Sequence, residues 1–262
     1  MSVDSNTVES KNVNEVPWSW FWEVFLHPKR VFSAISPFEK GIWLKPMLVL
    51  TALVIILSLI GGPARLTGAQ MNMGQPPEDF QYWSEEQQNQ FFEGQQAKQS
   101  SLFIYIFPLL GSIAGLWLGW FIFGSLLHLL MTFRGSRKPQ VAYLNFIAWA
   151  GLPFAIRSVI QIIAVASTRQ VIAAPGLSGL ITAGKSGGLD LLRSLLGNID
   201  IYTLGFAALV LIGAPIISGL KSEKSLWVTI LALVIFLILV IVPSFFIGQM
   251  NGLGSIQPLF LF

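Results

Sequence analysis

Arg157 and Asp200 are the charges in this chain whose placement most asks for a chemical reason. Arg157 lies sixteen residues beyond Val141 inside a long apolar run, and Asp200 opens the next one. At 1.5 Å per residue that is about 24 Å along a helix, in the outer half of a bilayer, where an arginine can reach toward the interface. An intramembrane arginine serves either a ligand or a structural partner. Asp200 is the expected partner, with a ligand-binding arginine as the alternative. Other chemistry is thinly provided. Without cysteine there is no disulfide, thiolate ligand or thiol nucleophile, and imidazole comes only from His27 and His128. Glu85, Glu86 and Glu93 read as the solvated face of an acidic helix, since no apolar pocket is implied to perturb them. No catalytic residue, metal site or cofactor is therefore assigned.

One motif looks stronger than it is. Gly179–Ser186 (GLITAGKS) satisfies the phosphate-binding pattern G-x-x-x-x-G-K-[ST]. That pattern works only between a buried strand and a helix whose N-terminus holds the phosphate. Here it falls in a Gly/Ala-rich loop with no α/β domain around it, so nucleotide binding is rejected.

The elements that must position these residues are transmembrane helices. The chain has 262 residues, 53% of them hydrophobic and only 11% charged, against about 25% charged in a soluble domain. Spans are expected at about 42–60, 104–131, 141–166, 201–220 and 226–247, each long enough for the roughly 30 Å hydrocarbon core. The fold class is all-α: a polytopic five-span bundle with short interfacial helices before the first span. Residues 1–16 read as a disordered cytoplasmic tail, 17–248 as the membrane domain and 249–262 as an uncharged external tail. Ser84-x-x-Gln87 is a capping box, and the helix it starts is expected to run toward the second span.

Orientation follows from charge. Of the 16 Lys and Arg residues, ten fall on the side of the N-terminus and five on the other, with Arg157 inside a span. The positive-inside rule then puts the N-terminus in the cytoplasm and the C-terminus outside, in what reads as a prokaryotic cytoplasmic membrane. The net charge of +3 is meaningful through this placement and does not imply nucleic acid.

Within the spans, Gly111, Gly115, Gly119 and Gly124 form a small-residue stripe that lets another helix approach closely, so the second span is expected to be central. Pro108, Pro153, Pro215 and Pro243 are expected kinks. Before the first span, Trp18, Trp20 and Trp22 with Lys29 and Arg30 are read as an aromatic and basic anchor on the membrane surface. Packing of that segment on the inner end of the bundle is the alternative.

The segment Leu26–Ile35 (LHPKRVFSAI), the hairpin with Arg134–Gly135–Ser136 in its turn followed by Trp149–Pro153 (WAGLP), and five spans with a cytoplasmic N-terminus together resemble the Yip-domain family, named for Rab/Ypt-interacting proteins. The resemblance covers roughly residues 25–247. In eukaryotic members it implies a trafficking scaffold that binds small GTPases. The resemblance is to the prokaryotic branch; the Asp-Leu-Tyr-Gly-Pro signature of the eukaryotic one is absent here, so GTPase binding is not carried over. The expected function is a non-enzymatic membrane scaffold or adaptor contacting lipids and other membrane proteins or itself. The alternative is a small-solute or lipid transporter using its kinked spans.

Overall fold

The computed structural model describes residues 16–71, 76–77, 79–170, 176–177, 196–197 and 199–249. The tail before Val16, the Gly179–Ser186 motif and the segment after Gln249 lie outside the described residues. Among the described residues every regular element is helical. Five helical stretches are long and apolar enough to cross a membrane: Leu44–Gln70, Leu102–Phe133, Gln140–Thr168, Ile201–Ser218 and Ser222–Val240. The protein is an integral, multi-pass membrane protein.

Two short helices precede the spans, α1 (Trp20–Leu26) and α2 (Pro28–Ile35). Pro28 occupies the first turn of α2, where its missing N–H costs nothing. Val31, Phe32 and Ile35 fall on one face by helical spacing, and all three are buried. The first span is α3 (Leu44–Ile60), continued after Gly61 by α4 (Gly62–Met71). At the far end stands α5 (Glu85–Ala97), whose start is fixed by the Ser84/Gln87 capping box. It does not run into the second span. The chain turns after Ala97 and re-enters through a π-helical turn, Leu102–Ile106, ahead of α6 (Phe107–Phe133).

Pro108 explains part of that entry. Having no N–H, it cannot bond the Ile104 carbonyl four residues back. Arg65 Nη1 donates to that carbonyl at 3.0 Å and to the Ser58 carbonyl, also at 3.0 Å. One guanidinium thus satisfies orphan acceptors at the end of one span and the start of the next.

The third span is broken by Gly151–Leu152–Pro153 into α7 (Gln140–Ala150) and α8 (Pro153–Thr168). The last two are α9 (Ile201–Ser218), with Pro215 in its interior, and α10 (Ser222–Gln249), which contains Pro243. α6 packs on α3, α7 and α10, while α9 packs on α2, α7, α8 and α10.

The second span is not the central one. Of its most apolar stretch 22% is buried, the lowest of the five, while 61% of the third span's is enclosed. Eight of the eleven residues of α7 are buried, including Tyr143, Asn145, Phe146 and Trp149. Small residues mark where a helix is approached on one side, and that is how Gly115, Gly119 and Gly124 behave: they are buried while Leu118, Phe121 and Ile122 stay exposed. Gly111 is only half-buried. Around α7 the core is aromatic, with Phe123 5.5 Å from Phe206, Phe206 5.2 Å from Phe154 and Phe123 4.9 Å from Phe236.

Candidate functional site

The N-terminal helix pair is both docked and displayed. Phe32 of α2 meets Phe146 edge-on at 4.9 Å, in a notch that depends on Gly213 of α9. A Cβ on Gly213 would overlap the Phe146 ring and come within 2.6 Å of Phe32 Cδ2. In α1, Trp20 and Val24 are one turn apart and buried. The Trp20 ring packs on Trp149 at 5.6 Å, and Phe21 reaches Trp149 at 5.1 Å.

Trp20 therefore departs from the expected surface anchor. The cluster of three tryptophans straddles both helix faces: Trp20 and Val24 share the inner one, while Trp18 and Trp22, offset by two residues, share the outer. Trp18 is 66% exposed, and Trp22 and Leu26 are 73% exposed. Lys29 and Arg30, in the first turn of α2, are exposed as well. Lys45 steadies its start, donating to the Val16 carbonyl at 2.7 Å with its ammonium 5.3 Å above the Trp18 ring, a cation–π contact. The outcome is a bundle-packed helix pair whose other face carries tryptophan, leucine and cations.

A clasp fixes the connection from this pair to the first span. Asn145, fully buried in the middle of α7, accepts from Ile42 N at 2.8 Å and Trp43 N at 3.2 Å, and donates to the Lys40 carbonyl at 2.9 Å. The start of α3 has no cap from its own segment, so Asn145 serves as one from across the bundle.

The family model described as the Yip1 domain matches residues 22–243. The chain belongs to the Yip1 domain family. The match begins at Trp22 in α1 and closes at Pro243 in α10, so it takes in α2, the Asn145 clasp and all five spans. Comparison with curated proteins and comparison with solved structures gave no match.

Two further groups of polar side chains in this Yip1 domain link helices to one another. Arg157 Nε lies 3.1 Å from Asp200 Oδ2, with side chains 9% and 15% exposed. Asp200 also caps α9, accepting from Thr203 N at 2.7 Å and Thr203 Oγ1 at 2.9 Å. At the opposite end a buried hydroxyl chain joins two loops. Ser136 donates to the Ser218 carbonyl at 2.9 Å and lies 2.8 Å from Tyr143 Oη. Ser218 Oγ is 3.3 Å from Ser225 Oγ, which contacts Met131 Sδ at 3.9 Å.

His128 meets Tyr143 with its ring tilted, 5.3 Å between ring centroids. Pro153 opens α8 where the third span is broken, Pro215 lies inside the unbroken helix α9, and Pro108 sits in the first turn of α6. Sequence reasoning missed Asn145, Ser136 and Arg65. Asn145 was the one amide inside the apolar run from Val141 to Ile160, a signal that an intramembrane polar group must have a partner. Nothing local indicated which one.

Proposed function

We propose that this Yip1 domain protein is a non-enzymatic membrane scaffold, with its N-terminus and its cation-rich end in the cytoplasm. The observation that carries the reading is the two-faced helix pair. Its inner face is fixed in the core by Val24, Val31, Phe32 and Ile35, and its outer face offers Trp18, Trp22 and Leu26 beside Lys29 and Arg30. A rigidly held aromatic and basic surface needs no ordering on contact, which favours recognition. The contacts it offers are to lipid headgroups and to membrane proteins or a second copy of the chain. A prokaryotic cytoplasmic membrane is its setting in this reading.

Deleting α1 and α2 would unpack the core and so test folding, not function. The informative variant changes only the outer face: Trp18→Ser, Trp22→Ser, Leu26→Ser, Lys29→Gln and Arg30→Gln together. Its unfolding midpoint is expected to stay near the parent's, because surface substitutions usually change stability by about 0.5 kcal/mol or less. In mild-detergent co-purification from native membranes, the parent is expected to retain partners that this variant loses. A variant that keeps every partner and bound lipid of the parent overturns the proposal.

A further inference from the structure

A second surface lies at the same end of the bundle, made from two loops that are remote in sequence. The α6–α7 loop supplies Arg134, Arg137 and Lys138, and the α9–α10 loop with the first turn of α10 supplies Lys221 and Lys224. The hydroxyl chain brings them together. Ser136, 5% exposed, reaches from the first loop to the carbonyl of Ser218, the last residue of α9. That carbonyl is one of the acceptors a helix C-terminus leaves open, so the bond both caps α9 and fixes the loops side by side. Each loop is turned tightly at a left-handed glycine, Gly135 at φ 101° and Gly219 at φ 68°.

Arg134, Arg137, Lys221 and Lys224 are exposed and Lys138 is half-buried. None of the five takes part in an ion pair among the described residues. The one acid among these residues, Glu223 in the first turn of α10, is itself exposed. In this patch five cations therefore stand against one acid, with no ion pair among them. On its shoulders are two large aromatics, Phe133 at 77% exposed and Trp227 at 67% exposed, in the last turn of α6 and the second turn of α10. Aromatic rings at span ends mark the headgroup level, which places these cations where phosphates of a bilayer lie. Clustered Lys and Arg at the end of a span attract anionic lipid.

We infer that the α6–α7 and α9–α10 loops together form one binding site for an anionic phospholipid headgroup. The phosphate sits among the five cations, and the acyl chains lie along the apolar surface beyond Phe133 and Trp227. The site uses none of the residues on the outer face of α1 and α2, so substitutions test the two surfaces independently.

The test uses the full chain in bilayers of phosphatidylcholine with a minor fraction of phosphatidylglycerol. The chain has no cysteine, so a fluorophore on Ser222→Cys reports from the patch alone. Quenching by headgroup-labelled phosphatidylglycerol is compared with quenching by the same label on phosphatidylcholine. About tenfold enrichment of the anionic lipid is expected at low salt, declining as salt screens the patch. Replacing Arg134, Arg137 and Lys138 by Gln, or Lys221 and Lys224 by Gln, is expected to remove most of it in either case, because the loops share one headgroup. Enrichment that survives loss of all five cations overturns the site. So does absence of enrichment in the parent, as would follow if an acidic protein segment were the occupant. Displacement of the lipid by millimolar inorganic phosphate overturns the lipid assignment, and losses that merely add between the loops overturn the joint site.

Discussion

Asp200→Ala is expected to be the most destabilising single substitution outside the aromatic core. It removes the carboxylate 3.1 Å from Arg157 Nε and the acceptor of Thr203 N and Oγ1. Both partners of the pair are largely buried, and breaking a buried pair from one side costs about 3–5 kcal/mol, because a charge loses its counterpart where solvent cannot replace it. Loss of the cap adds about 1 kcal/mol. Arg157→Ala should cost a similar amount. The double variant Arg157→Ala/Asp200→Ala should cost clearly less than the sum of the singles, since neither charge is then stranded. Reversible unfolding in mixed micelles reads all three. Additive losses would mean that the pair is not coupled and that Arg157 has its main purpose elsewhere.

Gly213→Val is the second large effect, and its consequence is positional as well as energetic. The new side chain has no room: its Cβ would overlap Phe146 and come within 2.6 Å of Phe32 Cδ2. Phe32 and Phe146 are both fully buried and packed edge-on. Overpacking a well-filled core costs about 1–3 kcal/mol, and the relief available is to expel Phe32 and lift α2 from α9. Spin labels on cysteines placed at Lys29 and Lys221 should then show a broader and longer distance distribution than in the parent. Gly213→Val combined with Phe32→Ala should narrow it again, because the smaller side chain vacates the space. An unchanged distribution in Gly213→Val would show that the notch does not hold α2.

What the sequence discloses here depends on whether the signal is local. Five spans are legible because length and hydropathy alone decide them. The buried face of α2 is legible because Val31, Phe32 and Ile35 obey helical spacing. Arg157 and Asp200 can be placed at one level by counting along their spans, and the structure has them 3.1 Å apart. Trp20 shows where composition misleads. Three tryptophans in five residues suggest one aromatic surface, yet the helical period splits them between two faces.

The central place of the third span is hidden for a physical reason. A helix facing lipid and a helix facing protein are both apolar, so hydropathy cannot separate them, and glycines report close approach on one side only. Asn145 and Ser136 find their partners far along the chain, Ile42 at 103 residues and Ser218 at 82. No spacing rule spans that distance. The clasp, the loop tether and the joint basic patch are therefore products of the fold.

In the proposed scaffold, α1 presents one face to the core and the other to partners. A photoreactive side chain at position 22 tests it directly in native membranes, with position 20 as the inward reference. Position 22 is expected to yield recurrent adducts with a protein or lipid outside the chain, while position 20 is expected to yield internal adducts to α7 around Trp149. The contrary result is equal labelling of outside molecules from both positions, or none from position 22. Either would mean that the helix pair does not carry the contacts of a scaffold.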